Sequence, residues 1–180
     1  MTSPAPHATF PPMLEWIALL CLIAATALLF ALSIIDLRTR LLPNVLVLPL
    51  ALLAVIFHII TQWHYLNPTI MLLGGVTGYG TLFTIRALAN YVYKQDALGL
   101  GDVKLLGAAG LWLGPEMVMM ALSLGALAGL IHGTGVALHI ARQEKTRPRF
   151  NGLKIPAGPG FAIGIVVTAI YLFQDFRPWQ

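Results

Sequence analysis

Residues 14–35 read LEWIALLCLIAATALLFALSII, and residue 36 is an aspartate. The run is apolar throughout, apart from Glu15 at its outer edge. A bilayer core about 30 Å thick takes roughly 20 residues of α-helix to cross, so this stretch is long enough to span one. Five further apolar stretches follow: Val45–Ile60, bounded by Pro43-Asn44; Ile70–Ile85; a short run ending at Leu113; Met117–Ile140; and Ala157–Phe173. The whole chain agrees with them. It has 180 residues, of which 58% are hydrophobic and 10% charged, and its mean hydropathy is +0.80. A soluble domain carries about 25% charged residues, and 10% cannot coat a water-soluble globule of this length. A cytosolic enzyme, a nucleic-acid-binding module and a disordered tail are excluded. The expected fold is an all-α membrane protein, a compact bundle of six transmembrane helices over 14–173. A mobile tail over 1–13 and a short tail over 174–180 flank it, with an uncleaved first helix. The one cysteine, Cys21, allows no internal disulfide and no cysteine-cluster zinc site.

The basic residues set the orientation. Arg38 and Arg40, then Arg86, Lys94 and Lys104, then Arg142, Lys145, Arg147, Arg149 and Lys154 fall in alternate connections; only Arg177 falls on the other side. The excess of Lys and Arg on the cytoplasmic side places both termini outside and three connections in the cytoplasm. Small residues mark the packing faces. Gly74, Gly75 and Gly78 in the third segment, and Gly125, Gly129 and Gly133 in the fifth, let helix backbones approach closely in lipid.

Two acids stand where acids are costly. Asp36 ends the first segment, and the stretch from Asp102 to Leu113 is twelve residues long. A helix of that length covers only about 18 Å, so Asp102 starts below the cytoplasmic surface. Gly99 and Gly101 put poorly helical backbone at membrane depth, which is tolerated where protein covers it or water lines a cavity. A polar cleft open to the cytoplasm follows. Intramembrane carboxyls are usually functional. Two close ones do not both ionise cheaply, so one keeps a proton while the other acts as a base, an arrangement that activates water against a peptide carbonyl. The plainer alternatives are interfacial ion pairs, Asp36 with Arg40 and Asp102 with Lys104. A proton-coupled transporter or channel relaying protons through these acids is the rival function.

At these residues the sequence resembles the type IV prepilin peptidases, intramembrane aspartyl proteases of the GxGD kind. Asp36-Leu37-Arg38-Thr39-Arg40-Leu41-Leu42-Pro43-Asn44 is similar to the family's first-aspartate segment. Gly99-Leu100-Gly101-Asp102-Val103-Lys104-Leu105 is similar to its GxGDVKL signature, and Ile155–Gly164 to its late proline-glycine segment. The resemblance implies cleavage of the basic leader of a prepilin or pseudopilin at the cytoplasmic face of the bacterial inner membrane, with Asp36 and Asp102 as the catalytic pair. It implies no metal and no cofactor, and the partners are the substrate protein and the lipid bilayer, with no nucleic acid. Larger members that also methylate carry an amino-terminal cysteine cluster; with Cys21 alone, the expectation is cleavage without methyl transfer. An inactive homologue that only binds pilins is a further alternative.

Gly99, Gly101, Lys104, Pro156 and Gly158 are the candidate substrate-binding residues. Pro156–Gly160 either exposes backbone edges to an extended substrate or simply opens the last helix. Lys104 either tunes the acids or snorkels to the interface. Asn44 starts the second helix and is placed to reach the cleft. Asp96 and Glu144 are candidates to hold a basic leader, whereas the basic run 142–149 suits anionic lipid. His132 and His139 lie two turns apart, too far for joint metal ligation.

Overall fold

The structure, a computed structural model, describes residues 12–94, 98–144 and 157–176. Every regular element in it is α-helical. The elements are α1 (Pro12–Thr39), α2 (Asn44–Ile60), α3 (Pro68–Tyr93), α4 (Leu100–Glu144) and α5 (Gly158–Leu172). Three of them, α1, α3 and α4, are long and apolar enough to cross a membrane. The others, with 17 and 15 residues, are shorter apolar helices of about 26 and 23 Å.

α1 buries one stripe, Ala18, Cys21, Ala25, Leu29, Leu32 and Asp36. The steps of three and four residues keep these side chains on one helical face. Asp36 is therefore the last member of the packing face. The helix ends when Arg40 takes a left-handed conformation, φ 54°, with its N–H on the Asp36 carbonyl. Pro43 then caps α2 in an extended conformation.

Two features correct the segment boundaries read from sequence. The third segment, expected to stop at Ile85, runs on as α3 to Tyr93. Arg86 thus lies within a helix rather than a loop, and its Nε donates to the Leu98 carbonyl at 2.7 Å, tying the end of α3 to the start of α4. The fourth and fifth segments form one element with a break inside it. Gly114 has φ 76° and ψ 176°, a conformation that favours glycine, and Pro115 follows, where a missing N–H is tolerated at a helix start. The arms 100–113 and 115–144 diverge from this point. Five helices, rather than six separate ones, are thus present among the described residues.

The first arm of α4 is buried on nearly every side, as expected of a helix apolar all round. Its largest interfaces, with those of the second arm, are to α3 and α5. α1 packs between α2 and α5, α4 closes the ring against those two, and α3 packs on α4 from outside. Close backbone approach makes this possible. Gly74 and Gly78 of α3 meet Gly110 and Leu106 of α4, and Gly164 and Gly160 of α5 meet Ala121 and Gly125 in the second arm, with no room for a Cβ at either contact. Outward apolar side chains such as Phe30, Leu48, Val76 and Ile170 remain exposed, as suits contact with lipid.

The antiparallel course gathers helix ends. The end of α1 and the starts of α2, α4 and α5 share one end of the bundle. At the other, Phe57 packs against Phe173 at 5.0 Å, Trp112 at 5.3 Å and Tyr65 at 5.9 Å between ring centres. Trp112 Nε1 donates to the Leu50 carbonyl at 2.9 Å. Between the ends lies a cavity of about 150 Å³, lined by Leu29, Leu50, Trp112, Ile165, Ala169 and other residues, nearly all apolar.

Candidate active site

Asp36 is 5% exposed and Asp102 8% exposed. They reach the same end of the bundle from different helices. Asp36 comes from the last turn of α1, and Asp102 from the first turn of α4. The Asp36 carboxyl is close enough to act electrostatically on Asp102. Neither acid is engaged as the simple ion-pair alternatives expected. Lys104 is exposed, and its Nζ donates to Asn44 Oδ1 at 3.0 Å. Arg40 is also exposed.

Each carboxyl has its own surroundings. Asp36 Oδ2 accepts the backbone N–H of Gly158 at 2.8 Å in a buried hydrogen bond. Gly158 is required for this approach, since a Cβ there would stand 2.7 Å from Oδ2 and 3.0 Å from the Asp36 Cγ. Asp102 has the Gly99 backbone beside it; a Cβ on Gly99 would stand 3.1 Å from Oδ2. Asp102 Oδ1 is buried and has no hydrogen-bond partner among the described residues. A buried polar atom left unpaired is costly, and this oxygen has hydrogen-bonding capacity to spare.

Gly101 corrects the expectation of irregular backbone on both sides of Leu100. The chain is already helical at Leu100, and a Cβ on Gly101 would stand 2.7 Å from the Leu42 Cβ. Gly101 therefore lets α4 press against the link between α1 and α2, which brings Asp102 up to the end of α1. Pro156 and Asp96 lie outside the described residues, as do 1–11 and most of the basic run 142–149. Glu144 is the last residue of α4.

The sequence did not reveal that Gly158 bonds to Asp36. The two residues are 122 apart, and only the packing of α5 on α1 joins them. The signal available was a glycine immediately before Pro159 at a helix start. His58 was also missed. It is fully buried at the end of α2, with both ring nitrogens unpaired by the hydrogen-bond geometry among the described residues. It stacks on Trp63 and meets Phe57 edge-on, at the end of the bundle away from the acids.

Residues 22–134 match the model of the type IV leader peptidase family. The chain belongs to that family. The matched span includes both acids and stops short of Gly158. Among relatives, a prepilin leader peptidase/N-methyltransferase of Escherichia coli (strain K12) is 35% identical over 141 residues, 78% of this chain and 58% of the relative. Proteins of the same name from Pseudomonas aeruginosa and Pectobacterium carotovorum are 35% identical over 158 residues and 32% identical over 160. These cover 83% and 89% of this chain but 51% and 53% of the relatives. The chain thus spans about half the length of the relatives it matches. No solved structure matches it.

Proposed function

We propose that this family member is an intramembrane aspartyl endopeptidase of the bacterial inner membrane. In this reading it removes the basic leader from prepilin- or pseudopilin-like substrates at the cytoplasmic face, and the new amino terminus is not methylated. The observation that carries the reading is the pair of buried carboxyls, Asp36 and Asp102, at one end of the bundle with an unpaired oxygen between helix starts. One ionised carboxyl takes a proton from water as the water oxygen bonds to the scissile carbonyl carbon. The other gives its proton to the carbonyl oxygen. The resulting diol collapses, the C–N bond breaks, and the departing amine receives a proton.

In this reading the two arms of α4 are separate passes, and six crossings with both termini outside would suit the Lys and Arg distribution. The relatives are named for both cleavage and methyl transfer, and the match covers about half of each. These 180 residues hold one cysteine, Cys21, buried in α1; whether the new amino terminus is methylated is read from the product mass.

The test is incubation of the purified protein in liposomes with a leader-bearing prepilin and a methyl donor, S-adenosylmethionine, read by product mass. The reading predicts a product shortened by the leader and carrying no added methyl group, with Asp36→Asn and Asp102→Asn each inactive. An uncut substrate, or full cutting by either variant, contradicts it. A methylated product corrects the methylation part alone.

A further inference from the structure

The two acids are held differently, and the difference lies in Gly158. α5 starts at this residue, and the preceding Ala157 supplies no side-chain cap. The first N–H groups of a helix have no intrahelical acceptor and carry its positive end. Asp36, from another helix, supplies the missing acceptor through Oδ2 at 2.8 Å. The bond is buried, and the close fit leaves no space for any side chain at 158. A hydrogen bond to an ionised acceptor in such a place is stronger than one between neutral groups. For Asp102 the corresponding backbone group is that of Gly99, and it leaves one oxygen unserved. That oxygen, Oδ1, is buried with no partner among the described residues, a setting in which a bare charge is expensive.

Resting on the peptidase reading above, we propose that the Gly158 backbone amide is a positioning group for the reaction: it holds Asp36 as the charged partner that takes the proton from water, and leaves the proton on Asp102. The amide fixes Oδ2 and with it the plane of the Asp36 carboxyl. The fields of the nearest helix ends act in the opposite sense, because the carbonyl end of α1 opposes charge on Asp36 and the start of α4 favours it on Asp102. The buried Gly158 bond outweighs these diffuse fields, and Asp102, although it has the Gly99 backbone group, keeps Oδ1 unpaired among the described residues, so the Gly158 amide is the contact that distinguishes the two acids. Of the other described charges of this end, Arg38, Arg40, Lys94 and Arg142 are exposed, Lys104 is bonded to Asn44, and Arg86 is bonded to the Leu98 carbonyl.

Replacing residue 158 by glycolic acid exchanges the N–H for an ester oxygen and adds no atom against Asp36. The ester protein is expected to keep the wild-type KM for prepilin within about twofold, to lose kcat by about 10- to 100-fold, the worth of one hydrogen bond to a charged group, and to shift the acid limb of its kcat–pH profile upward by about one unit or more. Gly158→Ala keeps the N–H but presses a Cβ onto the carboxyl; it is expected to lower kcat as well, without that characteristic shift of the limb. An ester protein with wild-type kcat and an unmoved limb overturns the proposal while leaving the peptidase reading intact. A wild-type protein that does not cut prepilin overturns the peptidase reading first.

Discussion

Asp36 is buried because it continues the stripe that α1 uses for packing, and Asp102 because its helix is covered on nearly every side. The consequence is a pair of carboxyls, the proposed reacting pair, whose placement is set by two helix registers. Shifting either register by one residue turns a carboxyl away by about 100°. Inserting one alanine between Leu32 and Asp36 is therefore expected to abolish cleavage while retaining membrane insertion, read by product mass alongside membrane fractionation. The identities of the two acids were legible in the sequence, because charged residues are rare in so apolar a chain and each stands in a recognisable motif. The Gly158 contact was not. Backbone amides leave no trace in a sequence pattern, and a glycine before a proline reads first as a helix entry.

At the scale of elements, the contact between α3 and α4 depends on glycines that face each other. Gly110→Val places a branched side chain against the Gly74 backbone; it is expected to destabilise the protein by about 1–3 kcal/mol, the usual cost of overpacking. Gly80, on the same helix as Gly74, has open space where a Cβ would sit, with nothing within 4 Å. Gly80→Ala is expected to stabilise by about 0.5–1 kcal/mol, through helix propensity alone. Thermal unfolding of both variants in the same detergent checks the contrast. Gly74, Gly75 and Gly78 were readable as a packing face and Gly125 meets Phe161, but Gly129, expected on the same face as Gly125, has nothing within 4 Å where a Cβ would sit. The partners of the first three were not readable, because Gly107 and Gly110 lie in a segment too short to show its own pattern. The length of α3 was underestimated for a similar reason. Arg86 looked like an end, but its side chain reaches the Leu98 carbonyl, so the helix continues past it.

The link between α2 and α3 offers a test by pH. Burial, aided by the negative charge of Asp175, pushes the Tyr65 phenol up to about 12 from an ordinary 10.0. The folded protein therefore holds that proton more tightly than the unfolded chain does. Stability from this source is complete below pH 10 and is lost as pH rises toward 12. Melting temperatures measured across that window are expected to fall, and Tyr65→Phe is expected to flatten this part of the decline.

For the molecule as a whole, one end is closed by the Phe57, Trp112 and Phe173 cluster, and the other collects helix ends around the acids. Class and broad architecture could be read from composition and apolar run lengths, as physical conditions for residence in a bilayer. The break at Gly114 was visible as a Gly-Pro pair. The two arms on either side of it are the fourth and fifth apolar runs, joined through the non-helical Gly114. Catalysis as described here requires Asp36 and Asp102 to meet at one end of this bundle. Cross-linking in membranes probes that meeting, using the triple variant Cys21→Ser, Asp36→Cys, Asp102→Cys and a short thiol-to-thiol reagent. A shared site predicts an intramolecular link between positions 36 and 102 and labelling of both thiols from the cytoplasmic face. Failure to link, together with labelling of the two thiols from opposite faces, would contradict it.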